Sequence, residues 1–236
     1  MVGTFVNVAA ILIGGILGLF LGSRLPERVR QTVMAGLGLF TMAFGMKLFL
    51  STQNALAVLG SLLIGVVLGE ILQIDRALQQ LGIWLEGRFS VVNGATLESN
   101  FVRGFVTASL VFCVGPMAIL GSIQDGLTGN YQTLVVKSVL DAFGALAFAS
   151  SLGVGVLFSA AMVLIYQGSI SLLAVQVQSV VTDAMMVEMN ATGGVILMAI
   201  AISSLLEIKK IRTGNFLPAL IIAPFMVLLM QLLGVY

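Results

Sequence analysis

The chain has 236 residues, 59% of them hydrophobic and 9% charged, with a net charge of +1; a soluble domain carries about 45 to 50% apolar residues, so no soluble interior of this size would hold so many. Histidine is absent and there is one cysteine, Cys113, which removes His-based zinc sites, His-ligated haem, Ser-His hydrolysis, imidazole proton relays and any intramolecular disulfide. The small net charge offers no field for nucleic acid, no cofactor is expected, and what remains is a single integral membrane domain over 1–236 with the lipid bilayer as its first partner.

A bilayer core takes roughly 20 apolar residues per spanning helix, and the chain supplies eight such stretches, near 3–22, 31–50, 54–72, 101–122, 133–151, 154–174, 189–207 and 215–234. They are continuously apolar instead of alternating, which selects helices over barrel strands. The expected fold is all-α, a polytopic transmembrane helix bundle of about eight spans. Span one has no basic segment before it and no evident small-residue cleavage site, so it reads as a retained helix and not as a secretory signal. Gly14, Gly18 and Gly22 in span one, and Gly65 and Gly69 in span three, recur at four-residue spacing. Such rows let helix backbones approach closely, either within one bundle or between copies in a homo-oligomer.

Basic residues set the orientation. Arg24, Arg28 and Arg30 follow span one, Arg76, Arg88 and Arg103 occupy or border the loop after span three, and Lys209, Lys210 and Arg212 follow span seven. All nine fall on one side, the cytoplasmic side by the positive-inside rule, leaving both termini outside. Lys47 and Lys137 lie on the other side, near span ends that a long stem can reach. The uncharged connection 150–155 between spans five and six is either a tight turn or part of a re-entrant element; the parity of the basic clusters argues for two crossings, or for a re-entrant pair that returns to its starting side.

The longest connection, 73–100, places Ile74, Ala77, Leu78, Leu81, Trp84 and Leu85 on one helical side, with Asp75, Arg76, Gln79 and Gln80 opposite. This predicts an amphipathic helix on the cytoplasmic membrane surface, sealing the bundle or docking a partner. Asn54-Ala55 and Asn190-Ala191 open spans three and seven, and Asn100-Phe101 and Asn215-Phe216 open spans four and eight. The correspondence suggests a parallel four-plus-four repeat. Spans four and eight are both interrupted, by Gly115-Pro116 and by Pro218 and Pro224, and such breaks either line a cavity or are structural.

The polar residues that cost most are the candidates for function. Asp141 lies well inside span five, with Lys137 one turn earlier on the same face; the two form either a structural ion pair or part of a solute or ion pathway. Ser122, Gln124 and Asp125 gather at the outer end of span four, where they either converge on an outward pocket or form an ordinary loop. Asp183, Glu188 and Asn190 lie on the same side and read by default as solvated loop residues; the alternative is that their oxygens recruit a hard cation, though without the spacing of a calcium or magnesium loop.

The strings Phe112-Cys113-Val114-Gly115-Pro116-Met117-Ala118-Ile119, Ser122-Ile123-Gln124-Asp125-Gly126-Leu127, Lys137-Ser138-Val139-Leu140-Asp141 and Gly155-Val156-Leu157-Phe158-Ser159, with Gly3-Thr4-Phe5-Val6-Asn7 and Asn215-Phe216-Leu217-Pro218-Ala219, resemble the YqgA/YdfK-like family of bacterial inner-membrane proteins along nearly the whole chain. The resemblance implies a multi-pass plasma-membrane protein and carries over no catalytic or ligand residue. Two functions stand: a small-solute or ion transporter or channel using Asp141, Lys137, Gln124 and Asp125, and a non-transporting scaffold or regulatory subunit. An enzyme is not expected, because no nucleophile elbow or intramembrane aspartyl-protease motif accompanies the acids.

Overall fold

A computed structural model describes residues 1–22, 24, 26–89 and 99–234. Eleven α-helices occupy them: α1 Val2–Gly22, α2 Glu27–Phe49, α3 Ala55–Leu72, α4 Ile74–Phe89, α5 Asn100–Cys113, α6 Pro116–Thr128, α7 Gln132–Leu152, α8 Gly155–Leu172, α9 Ala174–Val180, α10 Asp183–Ile200 and α11 Pro218–Leu232. No strand occurs among the described residues. Seven helices are long and apolar enough to cross a bilayer, and α5 with α6, bent by 61°, supplies an eighth crossing if the pair is one span. Large apolar side chains such as Phe20, Phe40, Leu63, Phe143 and Ile221 point outward, whereas Asn7, Gln167, Glu188 and Thr192 are completely buried. That arrangement reverses the soluble pattern.

The helices form two compact units, Met1–Leu37 with Leu78–Gln178, and Gly38–Ala77 with Ser179–Tyr236. In the first, the glycine row of α1 is filled by α7. A Cβ added at Gly14, Gly18 or Gly22 would run into the carbonyl of Ala142, Leu146 or Ser150 respectively. The two sets of numbers rise together, so α1 and α7 run parallel with backbones in contact, as small residues permit.

The same unit settles spans four, five and six. Gly155, opening α8, faces the carbonyl of Phe101 at the start of α5, and Gly126, near the end of α6, faces that of Ser171 near the end of α8. α5 and α6 therefore traverse the unit together as one broken span. α7 and α8 meet at Gly153, whose φ of 83° favours glycine, and both run the length of the unit. The α5–α6 break follows from Gly115, at φ 154° and ψ 151°, a conformation nearly restricted to glycine, and from Pro116, which has no N–H to donate.

In the second unit α3 packs antiparallel on α11. Gly60 faces Met226, Gly65 faces Ala219 and Gly69 faces the Asn215 carbonyl. Gly45 of α2 and Gly194 of α10 likewise face each other's backbones. Ala57, Met185 and Val227 form a small apolar core there. The α1 string Leu12-Ile13-Gly14 with Leu17-Gly18 recurs in α3 as Leu63-Ile64-Gly65 with Leu68-Gly69, so each unit holds one copy of the same close-packing helix face.

Several boundaries differ from the sequence-based expectation. Span seven starts at Asp183, six residues early, because the Thr182 hydroxyl accepts from the Met185 N–H at 3.3 Å and caps the helix. It ends in a π-helical turn, Ala201–Leu205. Pro218 does not interrupt span eight but opens α11, where a missing N–H is harmless; Pro224 alone lies inside. Asn54 caps α3, whereas Asn190 lies within α10, so the two Asn-Ala pairs have different local structure. Asp75 is buried, not solvated: its Oδ1 accepts from Gly214 N–H at 2.9 Å, and its own N–H donates to Asn215 Oδ1 at 2.8 Å. Within 73–100, residues 90–98 lie outside the described residues.

Candidate functional site

Asp141 is the tenth residue of α7, about 14 Å along a helix rising 1.5 Å per residue. The expected pairing with Lys137 is present: the Lys137 ammonium donates to Asp141 Oδ2, and Lys137 and Asp141 are 6% and 8% exposed. An ion pair this dry stabilises the fold only if its remaining lone pairs and protons find partners. One partner comes from α1, whose close seating on α7 brings Asn7 Nδ2 to 3.0 Å from the same Oδ2. The same Nδ2 also donates to Gln167 Oε1 of α8 at 3.3 Å.

The amide orientations follow from chemistry. A carboxylate accepts and does not donate, so Asn7 must present its NH2 to Asp141; Gln167 must then present its carbonyl to that NH2. Among the described residues this leaves Asn7 Oδ1 and Gln167 Nε2 buried without a hydrogen-bond partner, together with the hydroxyl of Thr4 one turn away on α1. Asp141 Oδ1 also receives no hydrogen bond among the described residues. Three buried polar atoms with unused capacity thus lie on α1 and α8 among the described residues, in a setting where each unmet buried group costs about 1–3 kcal/mol, and Asp141 Oδ1 adds an acceptor that is not itself fully buried.

The outer-end candidates are held differently. Gln124 Oε1 accepts from the Thr133 hydroxyl at 2.7 Å, and the Ser122 hydroxyl donates to the Ala118 carbonyl at 2.6 Å. Asp125 Oδ2 accepts from the Gly3 N–H at 3.0 Å, and its Oδ1 lies 3.1 Å from the Met1 amino nitrogen. A buried acid at a helix N-terminus meets unsatisfied N–H groups and the positive end of the helix dipole. Among the described residues no hydrogen bond joins Ser122, Gln124 or Asp125 to Lys137 or Asp141: Gln124 ties α6 to α7 and Asp125 ties it to α1, whereas the Ser122 hydroxyl bonds within α6 and only its carbonyl accepts across helices, from Ser171 of α8 at 3.0 Å.

Glu188 in the second unit plays the corresponding part. Its Oε1 accepts from the N–H groups of Gln53 and Asn54 at 2.8 and 2.9 Å, and its Oε2 from the Thr52 hydroxyl at 2.5 Å. Both oxygens therefore hold the chain entering α3. Asn190 Oδ1 and Thr192 Oγ1 are buried without partners among the described residues, and Asp183 stands in the first turn of α10. No group of three metal-ligating side chains occurs among the described residues. At the opposite end of that unit, Arg212 pairs with Glu70 at 2.9 Å. Burial pushes the Asp75 carboxyl above the ordinary carboxylate range, with the Gly214 hydrogen bond and Arg212 opposing and Glu70 reinforcing the shift.

Asn7 and Gln167 were not among the sequence-based candidates. Their signal was available: each is an uncharged amide inside an otherwise apolar span, where polar groups carry a penalty and seek partners. On the outer surface of α1 and α7 lies a groove of about 410 Å³ lined by Val6, Ala10, Ile13, Val139 and Phe143 among others. Its lining suits hydrocarbon, in contrast to the polar cluster.

Comparison with known proteins agrees with this architecture. No solved structure matches the chain. It is 31% identical over 223 residues to a protein of Escherichia coli (strain K12) named "Uncharacterized protein YqgA", covering 94% of each chain. It is 29% identical over 238 residues to one of Bacillus subtilis (strain 168) named "Uncharacterized membrane protein YdfK", covering 99% of each. Residues 2–228 match the family described as "Protein of unknown function (DUF554)", and with apolar helices of spanning length and a full-length relative named as a membrane protein, this chain is a membrane protein that belongs to that family.

Proposed function

We propose that the protein resides in a bacterial inner membrane with both termini outside the cytoplasm, and that its first unit carries a small solute or ion past Asp141. The orientation is supported within each unit. Arg28, Arg30, Arg88 and Arg103 belong to the first, where the Arg30 guanidinium donates to the Ser151 carbonyl at the α7–α8 turn. Arg76, Lys209, Lys210 and Arg212 belong to the second, and the ends carrying these groups face the cytoplasm.

The transport reading rests on one observation. Asp141 is held deep in the first unit with one oxygen engaged by Lys137 and Asn7 and the other unengaged, beside a span broken at Gly115. A carboxylate in a membrane is expensive and is functional by default, and an unengaged oxygen gives a passing group something to contact. The test is flux in proteoliposomes holding the full chain, measured for protons, alkali cations and small neutral solutes against empty vesicles. A protein-dependent flux that Asp141→Asn reduces at least tenfold supports the reading; no flux of any class, or one that Asp141→Asn leaves intact, sinks it.

A scaffold or regulatory role has its own support. α4 exposes Leu81, Trp84 and Phe89, an amphipathic surface suited to the membrane interface or to a partner protein. Stoichiometric recovery of a partner that depends on residues 73–100, in a protein without flux, would favour that role.

A further inference from the structure

We infer that the buried cluster of Asn7, Gln167 and Asp141 binds an uncharged polar group that donates and accepts hydrogen bonds at once, such as the amide or hydroxyl of a small solute, and not a free ion. This deepens the transport reading and rests on it for the claim that the bound group moves.

The charge balance of the site carries the first step. Lys137 and Asp141 share a direct contact at Oδ2, so the acid and the base cancel within the cluster. No net charge is left to offset the desolvation of an ion, which is large in a low-dielectric interior. The unused atoms carry the second step. Asn7 Oδ1 can only accept and Gln167 Nε2 can only donate, and both are fully buried and unpartnered. A cation would satisfy the oxygens and be repelled by the Gln167 NH2; an anion would do the reverse. A group with both a donor and an acceptor satisfies the two together, with Asp141 Oδ1 adding an acceptor and the Thr4 hydroxyl a group of either sense. Recognition by such fixed groups is demanding, because a solute lacking one of them leaves a buried partner unmet.

The test uses the full chain purified in detergent and crystallised in rubidium bromide, which makes cation and anion visible by anomalous scattering. The expected map shows water bridging Asn7 Oδ1 and Gln167 Nε2, with neither a rubidium nor a bromide peak at the cluster. Soaking in urea is expected to replace that water with urea. A rubidium or bromide peak on these atoms overturns the inference, as do two amides closed on protein partners with nothing between them or a site that urea does not enter. Gln167→Met, which removes the donor at similar volume, is expected to lose urea occupancy while the Lys137–Asp141 contact persists; retained urea occupancy would also overturn it. Urea seated in the site of a protein that shows no flux would refute transport and leave the site itself standing.

Discussion

Lys137→Met removes the base and leaves the acid where it is. Asp141 then keeps one hydrogen bond, from Asn7 at 3.0 Å, and is only 8% exposed. Breaking one side of a buried ion pair costs about 3–5 kcal/mol. With the Asn7 bond offsetting about 1 kcal/mol, the expected loss is about 3 kcal/mol. Adding Asp141→Asn to Lys137→Met should restore stability to within about 1 kcal/mol of the parent, since a neutral pair leaves no bare charge. Equilibrium unfolding in mixed micelles at pH 7 measures both quantities. A loss under about 1 kcal/mol, or a double variant no better than the single, would refute the picture of a shared, poorly hydrated pair.

Gly18→Val places a branched side chain against the Leu146 carbonyl and should destabilise by about 1–3 kcal/mol through overpacking, read as a lower Tm; Gly36→Ala, where an added Cβ meets nothing within 4 Å, serves as its neutral or stabilising control. Glu188→Gln weakens the charge-assisted bonds that hold residues 52–54 and should cost about 1–3 kcal/mol, with faster hydrogen exchange at the Gln53 and Asn54 amides as the local readout. Asp75 has a folded carboxyl raised above its unfolded value, so its contribution is fully present below the unfolded pKa and is lost as pH rises through the folded one. The stability of the parent relative to Asp75→Asn should therefore increase as pH falls from 7 towards 4, and a difference that is flat or moves the other way contradicts the assigned burial.

Most of the fold was legible because the bilayer imposes a simple rule: backbone groups must be satisfied locally, so long apolar runs become helices. The Gly14, Gly18 and Gly22 row and the Lys137–Asp141 spacing each point to a contact one helix can specify. What escaped was set by contacts between helices. Asp183 and Glu188 read as loop residues because they are acidic, yet Glu188 is buried and receives the chain entering α3. Asp75 reads as the polar face of an amphipathic helix, yet the turn at Gly214 and Asn215 takes it in. Asn7 and Gln167 are 160 residues apart, and Gln167 joins Asp141 through Asn7 only because α1 packs on both α7 and α8. No local pattern encodes that meeting.

The central claim is that something from the aqueous phase reaches this cluster. Asn7→Cys in a Cys113→Ser background places a thiol beside Asp141, in a chain with no other cysteine. Intact cells are treated with a small, uncharged, hydroxyl-bearing methanethiosulfonate, since the cluster rejects ions, and the same protein is treated after denaturation as the reference. Labelling in intact cells is the predicted result. A thiol that stays unreactive in the native membrane yet labels fully once the chain is unfolded would contradict it.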